Sequence, residues 1–263
     1  MTIKPGSPVT PDYRVATFVG TGALGTAHSV FMREHLEDAP FLELSRHTSD
    51  TLVVLEANQH NGPRGVKFFA HGHPVLRCGS GTLAAAWVLS EHCGHHAHQP
   101  LPLRTPQETI HVFKDAEGFG YESTPLGQRP LPDESLWQRL VGIPVQGGAL
   151  CGGESDYVIV ELTSQKAVRS AMPDLSALTS ASSRALILTA RERNHYVLRY
   201  FAPQYGQPEG GATGSANTQL LHYWYQQGCR EAMFSRQCST SGGEFWGSPG
   251  AATVRLYGRV TAV

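Results

Sequence analysis

Two short glycine-containing turns constrain this chain most, because each directly precedes a segment with the length and composition of a helix. The first turn is Cys78–Gly81, reading C-G-S-G, and the second is Thr213–Ala216, reading T-G-S-A. The first backbone N–H groups of a helix have no internal acceptors, and the helix dipole adds partial positive charge there. Each turn is therefore predicted to bind an anion, and the pair predicts one small-molecule site that holds a carboxylate.

Segments typical of strands outnumber those typical of helices along the chain, and they are bounded by Gly, Pro or Asn. The predicted strands are Tyr13–Val19, Thr51–Glu56, Gly65–Ala70, Thr109–Lys114, Tyr157–Leu162, Ala185–Thr189, Tyr196–Phe201 and Ala252–Tyr257. The predicted helices are Gly81–His92, Ser135–Leu140, Lys166–Leu178 and Ala216–Gln227. Because strands and helices do not alternate regularly, the sequence predicts an α+β fold.

The middle of the chain, 125–133, is rich in Pro and Gly and is predicted to be a linker. It divides the chain into two predicted domains, residues 1–126 and 127–263. Each half contains a strand ending in Phe-Ala, then a loop, then a Gly-Ser turn that enters a helix. This similarity indicates an internal repeat of one strand–loop–helix unit.

Composition limits the classes of partner. The chain has 263 residues, 40% of them hydrophobic, and a formal net charge of −1, so no strong attraction to nucleic acid or an anionic membrane is expected. No apolar run is long enough to span a bilayer. The five cysteines are scattered without a C-x-x-C pair, which favours reduced thiols and a cytoplasmic protein. A homodimer is left open.

Two other motifs suggest different chemistry. Residues 20–25 read G-T-G-A-L-G, the pattern of a dinucleotide-binding turn, but the following chain lacks the alternating strands and helices that such a fold needs, which favours a simple glycine-rich turn. The histidine-rich stretch 91–98 fits no standard metal-site spacing and is interpreted as a solvated helix end. His71 and His73 belong either to a polar turn or to the neighbourhood of Cys78.

Three side chains near the turns are candidates for chemistry. Cys78 opens a predicted helix, where the pKa of a thiol is expected to fall, and the alternative is a small buried capping residue. Asp50 is a candidate base, although aspartates in turns commonly bond to their own backbone. Glu209 lies before the second turn and could bind a substrate amine or face water.

The second half of the chain resembles a known family. Phe201–Pro203 (F-A-P) followed by Glu209–Ala216 (E-G-G-A-T-G-S-A) is similar to the F-[ST]-P…E-D-P-A-T-G-S-A signature of phenazine-biosynthesis-like (PhzF-like) isomerases. Ser49–Val54 (S-D-T-L-V-V) resembles their S-E-T-x-F-V motif. The matching segments occur in the same order as in the family and touch most of the chain.

The first half resembles the same superfamily with more divergence. Gly25–Val30 (G-T-A-H-S-V) occupies the place of the family's G-N-P-x-A-V motif. Cys78–Thr82 (C-G-S-G-T) falls at the family's A-G-H-P-T, and it is closer to the C-G-[NH]-G turn of diaminopimelate epimerase and proline racemase relatives.

The resemblance implies two pseudo-symmetric diaminopimelate-epimerase-like domains, each a barrel-like sheet around a central helix, with the active site in the cleft between them and no cofactor or metal. It also implies that backbone amides in the two turns bind the substrate carboxylate. The residues that would bind it are Gly79, Ser80, Gly81, Gly214 and Ser215, with Glu209 as a further substrate contact.

The departures from the family restrict the chemistry. The Glu, His and Asp of the phenazine-type site fall at Asp50, Ser80 and Gly210, and only Asp50 keeps a carboxylate. The two opposed cysteines of the epimerase-type site fall at Cys78 and Thr213, so a single thiol is left. One-sided proton chemistry is therefore favoured over symmetric racemisation by two thiols.

The sequence thus predicts a cofactor-independent isomerase or epimerase of a small amino- or imino-acid-like carboxylate, with Cys78, Asp50 and Thr213 as catalytic residues. Proton abstraction and return at carbon would be its reaction. Two alternatives stay open: a lyase resembling hydroxyproline dehydratases, in which one base suffices, and a carboxylate-binding protein that has lost catalysis.

Overall fold

The computed structural model describes residues 10–57, 63–94 and 100–263. These residues fall into two compact units: unit 1 comprises the described residues of 10–19, 26–122 and 257–263, and unit 2 comprises 20–25 and 123–256. The sequence boundary between residues 126 and 127 stays a prediction. No helix in the described part of the chain is long and apolar enough to cross a membrane.

The strands and helices are numbered in chain order. The strands are β1 (Tyr13–Val19), β2 (Thr26–Arg33), β3 (Thr51–Glu56), β4 (Arg64–Ala70), β5 (His73–Pro74), β6 (Leu101–Arg104), β7 (Thr109–Asp115), β8 (Gly118–Ser123), β9 (Gln128–Pro130), β10 (Val145–Cys151), β11 (Tyr157–Leu162), β12 (Ala185–Glu192), β13 (His195–Phe201), β14 (Met233–Gln237), β15 (Gly243–Ser248) and β16 (Val254–Ala262). The helices are α1 (Ala39–Leu44), α2 (Gly79–His92), α3 (Glu134–Val141), α4 (Gln165–Ser170), α5 (Leu175–Ala181) and α6 (Gly214–Gln226), with one 3-10 turn at Pro203–Tyr205.

Unit 1 is a closed barrel of eight strands. Its strand order is β1-β2-β3-β4-β6-β7-β8-β16, and β16 pairs back with β1, which closes the ring. Helix α2 packs against β1, β2, β3 and β7 and is buried from Gly79 through Ala86. Its small and apolar side chains lie on every side of the helix, which is typical of a helix enclosed by other elements.

Unit 2 is built on a sheet with the strand order β9-β10-β11-β12-β13-β14-β15. One core cluster packs α3, α4 and α5 onto this sheet through Trp137, Val168 and Leu178. Helix α6 buries its own set of large side chains, including Leu220 and Trp224. Trp224 and Leu220 are almost wholly removed from water, so α6 is the central helix of this unit.

The two units repeat one strand pattern. In unit 1 the successive pairs β1–β2, β2–β3, β3–β4 and β4–β6 are antiparallel, parallel, antiparallel and parallel. In unit 2 the pairs β10–β11, β11–β12, β12–β13 and β13–β14 follow the same order. The central helix occupies the second parallel crossover in each unit, α2 between β4 and β6 and α6 between β13 and β14. The internal repeat predicted from the sequence is therefore confirmed.

Two expectations about local structure were wrong, and a third was confirmed. The 125–133 segment contains β9, which pairs with β10, so this segment belongs to the unit 2 sheet and is not a free linker. The single helix expected over Lys166–Leu178 is two helices, α4 and α5, because Pro173 cannot continue a helix. The simple glycine-rich turn expected at residues 20–25 is confirmed: it is closed by Gly20 and Ala23 and leads into β2 instead of a helix, which excludes the dinucleotide-binding alternative.

Candidate active site

The first turn is capped by its own cysteine. Cys78 is the N-cap of α2, and its Sγ accepts a hydrogen bond from the Gly81 N–H at 3.3 Å. Thr82 Oγ1 donates to the Cys78 carbonyl at 2.9 Å, and Ser80 Oγ lies 3.5 Å from Sγ. These contacts hold the sulfur at the helix N-terminus. By helix geometry, the amides of Gly79 and Ser80 have no acceptor within the helix.

The thiol of Cys78 is buried, and this changes its acidity. Burial raises the pKa of Cys78 above its ordinary value, and the hydrogen bonds from Ser80 and Gly81 offset only part of that effect. The lower pKa expected from the helix N-terminus is therefore wrong, because desolvation outweighs the two hydrogen bonds. Cys78 is a thiol, and not a thiolate, at neutral pH.

Asp50 is a positioned carboxylate at the entry to β3. Its Oδ2 accepts hydrogen bonds from Arg14 Nε at 3.2 Å, Arg14 Nη2 at 3.0 Å and Ser29 Oγ at 2.8 Å. Within the described part of the chain, Oδ1 accepts no hydrogen bond. The alternative in which the side chain bonds its own backbone was wrong, since the only local bond runs from the Asp50 N–H to Thr48 Oγ1.

The strand register brings Asp50 and the first turn to one end of the unit 1 barrel. Strands β3 and β4 are antiparallel, with Leu52 opposite Phe69, so Asp50 lies at the end where β4 finishes. The chain leaves β4 there and continues into α2, whose Gly81 packs against Phe68. Among the described residues, no hydrogen bond joins Asp50 to Cys78.

A buried histidine neighbours Asp50. His28 lies opposite Thr51 in the parallel β2–β3 pair, and its Nε2 is 3.2 Å from Thr17 Oγ1. Burial lowers the pKa of His28 from 6.5 to about 4, although the negative charge of Asp50 opposes this shift. His28 is therefore neutral near pH 7. Sequence reasoning did not single out His28, although it lies at the variable position of the Gly25–Val30 motif.

The second turn is held by two buried amide side chains. The Thr213 N–H donates to Gln237 Oε1 at 2.7 Å, and Gln237 Nε2 donates to the Gly210 carbonyl at 2.7 Å and to Thr213 Oγ1 at 3.2 Å. Asn217 Nδ2 donates to the Thr213 carbonyl at 3.0 Å. Thr213 is the N-cap of α6, but its side chain caps no amide.

Sequence reasoning missed Gln237 and Asn217. Gln237 is fully buried and lies at the end of β14, 24 residues after Thr213. Asn217 Oδ1 accepts from Tyr196 and from Ser235, so the amide is satisfied on both sides. Asn217 follows the quoted T-G-S-A motif directly, which is the only signal that could have drawn attention to it.

Glu209 makes an ion pair that the sequence did not predict. Its carboxylate oxygens accept from Arg199 Nε at 2.7 Å and Arg199 Nη2 at 2.9 Å, and Arg199 also donates to the Ala171 carbonyl. Both oxygens of Glu209 are therefore engaged within unit 2. Its role as a substrate contact stays a prediction.

The resemblance places Gly210 at the position of a carboxylate in the phenazine-type site, and the structure leaves no room for a side chain there. A Cβ at this position would lie 2.7 Å from Tyr200 Cδ1 and 3.1 Å from Thr213 Oγ1. The ring of Tyr200 occupies the space that a side chain at position 210 would need. A side chain at position 210 is therefore incompatible with the present position of the Tyr200 ring.

The histidines show no metal centre among the residues that the structure describes, which contain no group of three or more His, Cys, Asp and Glu placed to hold an ion. His92 ends α2 and stacks on Tyr13, with ring centroids 4.5 Å apart. The rest of the histidine-rich stretch, 95–98, lies outside the described residues. His71 is exposed in the turn that joins β4 to β5, as the polar-turn interpretation predicts, and His73 is exposed at the start of β5.

Relatives of the chain are named as isomerases. An uncharacterized isomerase of Pseudomonas aeruginosa is 30% identical over 210 residues, which are 75% of this chain and 79% of the relative. A second uncharacterized isomerase, from Vibrio cholerae, is 30% identical over 87% of this chain and 80% of the relative.

Solved structures share the fold. A PhzF family protein of Enterococcus faecalis aligns with a TM-score of 0.81 and 20% identity over 95% of both chains. A probable proline racemase of Agrobacterium radiobacter, solved with bound carbonate, aligns with a TM-score of 0.61 and 11% identity over 95% of this chain and 92% of that one. The predicted architecture of two pseudo-symmetric diaminopimelate-epimerase-like domains is confirmed.

The family assignment comes from the sequence itself. The PhzC-PhzF model, described as phenazine biosynthesis-like protein, matches residues 25–262. This match covers both glycine turns, Asp50 and every described strand and helix except β1. The chain is therefore an isomerase that belongs to the phenazine biosynthesis-like (PhzC-PhzF) family.

Proposed function

We propose that this isomerase moves a proton at the carbon next to the carboxylate of a small amino- or imino-acid-like substrate, without a cofactor. The observation that carries the proposal is the placement of two proton-handling groups, Asp50 and Cys78, at one end of the unit 1 barrel beside the open amides of α2. A proton shift between two carbon positions requires one group that removes a proton and another that supplies one, and a carboxylate and a thiol can fill these two roles.

Asp50 is the proposed base in the forward direction. Arg14 and Ser29 hold Oδ2, so Oδ1 is the oxygen that can take the α-proton of the substrate. The C–H bond breaks, its electron pair stays on the substrate as an enolate-like anion, and the proton forms the Asp50 carboxylic acid. The N–H groups of Gly79 and Ser80 stabilise the developing negative charge.

Cys78 is the proposed acid that completes the shift. Its burial keeps the sulfur protonated, so the S–H can donate to the second carbon position and leave a thiolate. Transfer of the proton from Asp50 to this thiolate through solvent restores both groups, and no proton is gained or lost overall. In the reverse reaction the two groups exchange their roles, so both are required in either direction.

Thr213, Gly214 and Ser215 are proposed to bind the substrate carboxylate at the N-terminus of α6. Three points stay predictions: both turns serve one substrate in a cleft, Gly81 contributes to binding, and Glu209 contacts the substrate. A cytoplasmic location and a homodimer also stay predictions.

Exchange of substrate protons with solvent tests the proposal. The protein is incubated in D₂O with a panel of amino acids, prolines and unsaturated ring acids, and each compound is followed by NMR. Deuterium entering at carbon, with either inverted stereochemistry or a moved double bond, is the expected result. Loss of water from a hydroxylated substrate would instead identify a lyase, and thermal stabilisation without exchange would identify a binding protein.

Matched variants test the residue assignments. Cys78→Ala and Asp50→Asn are each expected to slow conversion of substrate to product by at least about a hundredfold, the usual range for removing a general acid or base. Cys93→Ala, at the other end of α2, and Asp12→Asn, which also removes an arginine-paired carboxylate, are the controls. If Cys78→Ala converts substrate to product at the wild-type rate, Cys78 is not the acid.

A further inference from the structure

We propose that Gln237 is a positioning residue that fixes the hydroxyl of Thr213 as a hydrogen-bond donor toward the bound carboxylate. The inference rests on the proposed function, since it concerns how the second turn holds the substrate. The inference goes beyond the proposed function in two ways. It assigns the Thr213 hydroxyl the role of hydrogen-bond donor, and it assigns a role to Gln237, a buried residue that touches no substrate.

Two backbone groups fix the orientation of the Gln237 amide. The Thr213 N–H can only donate, so the atom 2.7 Å from it is the side-chain oxygen of Gln237. The Gly210 carbonyl can only accept, so the atom 2.7 Å from it is the side-chain nitrogen. A flipped amide would place donor against donor and acceptor against acceptor, which excludes the reversed assignment.

This orientation determines what the Thr213 hydroxyl does. The second hydrogen of Gln237 Nε2 points to Thr213 Oγ1 at 3.2 Å, so Oγ1 accepts that bond. An amide nitrogen has no free lone pair, so Gln237 cannot receive the hydroxyl proton. No acceptor in the described part of the chain takes the Thr213 O–H, and the hydroxyl is left to donate outside the turn.

Because the Thr213 hydroxyl accepts from Gln237 and is free to donate, it is unsuited to removing a proton and suited to binding a carboxylate. A hydroxyl that already accepts from Gln237 and has no neighbouring base cannot act as the second proton abstractor, the place that a cysteine holds in the epimerase-type site. As a donor it adds to the helix N–H groups of Gly214, Ser215 and Ala216, all of which favour a negatively charged oxygen. The second turn is thus specific for a carboxylate oxygen over a neutral amide.

The test uses benzoate as a planar carboxylate probe and benzamide as its neutral counterpart. Binding is measured from the ¹⁵N–¹H NMR shifts of Gly214, Ser215 and Ala216. Thr213→Val removes the hydroxyl and keeps its shape, Gln237→Met removes the polar amide at similar volume, and Thr213→Ser keeps the donor. Wild type and Thr213→Ser are expected to bind benzoate equally and to bind benzamide weakly.

Each single variant is expected to weaken benzoate binding about tenfold, the effect of losing one hydrogen bond to a charged group. The double variant, Thr213→Val with Gln237→Met, is expected to show nearly the same loss, because Gln237 acts through the hydroxyl. A purely structural Gln237 would instead give losses that multiply to about a hundredfold. That result overturns the inference, as does wild-type affinity in Gln237→Met.

Thr213→Val decides the matter even if Gln237→Met fails to fold, since unchanged benzoate binding in Thr213→Val shows that the hydroxyl does not donate. Absence of benzoate shifts at the second turn in the wild-type protein contradicts the proposed carboxylate site itself. Normal wild-type binding with unaffected variants contradicts only the role of Gln237, so the two failures are distinguishable.

Discussion

Gly210 is the position where a single added carbon should reveal how this chain departs from the phenazine-type site. A Cβ there would approach Tyr200 Cδ1 to 2.7 Å and Thr213 Oγ1 to 3.1 Å. Ordinary carbon contacts lie near 3.5–4.0 Å, so the Tyr200 ring must move by roughly an ångström. The φ angle of Gly210 is not in the left-handed region, and the expected cost of Gly210→Ala is therefore one of packing and not of backbone strain.

The magnitude follows from two opposing effects. Overpacking of this kind costs about 1–3 kcal/mol, while replacing glycine by alanine in a compatible backbone returns about 0.4–1 kcal/mol. The net expectation for Gly210→Ala is a loss of about 1–2 kcal/mol in the free energy of unfolding. At about 2–4 °C per kcal/mol for a chain of this size, the melting temperature should fall by about 2–8 °C. Gly127 has no atom within 4 Å of a built Cβ, so Gly127→Ala is the matched control and should be neutral or slightly stabilising.

Urea and thermal unfolding followed by circular dichroism measure both variants. A second variant, Tyr200→Ala, makes room for the new carbon, so Gly210→Ala should cost nothing in that background and the two changes should couple by about 1–2 kcal/mol. Equal stability of Gly210→Ala and Gly127→Ala in the wild-type background would refute the packing argument. If the coupling is found, Gly210→Asp combined with Tyr200→Ala is the variant that can restore a second carboxylate beside Thr213.

Three further predictions use acidity and charge. Because burial raises the pKa of Cys78, a disulfide reagent at pH 7 should modify it at least about tenfold more slowly than the half-buried Cys93, and equal rates would contradict a protonated, buried thiol. His28 has a pKa of about 4 in the folded protein against 6.5 for the free side chain, so the unfolded chain takes up the proton first as the pH falls. Stability should therefore decline by about 3 kcal/mol between pH 6.5 and pH 4, and urea titrations should show that His28→Gln removes this decline. Glu209→Gln should lower the free energy of unfolding by about 2 kcal/mol because it breaks the paired hydrogen bonds to Arg199, and an unchanged urea midpoint would show that the ion pair is not stabilising.

The strands and helices that the sequence predicted correctly are mostly those whose residue types clearly favour one kind of secondary structure. Strands β1, β3 and β11 match the predicted bounds, and both central helices begin within two residues of the predicted start. The strands that were missed, such as β14 (M-F-S-R-Q), have few β-branched residues and little alternation. Their strand conformation depends on neighbours: β14 lies between β13 and β15, which supply hydrogen bonds that no local pattern records.

The candidate site was predictable only in part, for a related reason. The glycine turns, Cys78 and Asp50 lie in short motifs, so the sequence alone could mark them. Arg14 and Gln237 act on those motifs from strands that are 36 and 24 residues away, and the pairing of strands decides whether they reach. The acidity of Cys78 was mispredicted because the helix dipole is visible in sequence, while the extent of burial depends on the closed barrel.

The two turns differ in whether a side chain accepts from the first N–H groups of the helix, and this difference indicates different roles for the turns. In the first turn, Cys78 Sγ accepts from the Gly81 N–H, so one of the open donors of α2 is used to fix the sulfur. In the second turn, the Thr213 side chain accepts no hydrogen bond from an α6 amide. Gln237 Nε2 donates to Thr213 Oγ1 instead. A helix that caps itself has fewer donors for an anion, and a helix whose cap is supported by another strand keeps them. On the proposed mechanism, the first turn mainly holds a proton-carrying atom and the second binds the substrate carboxylate, so a double variant that exchanges Cys78 and Thr213 is expected to be inactive.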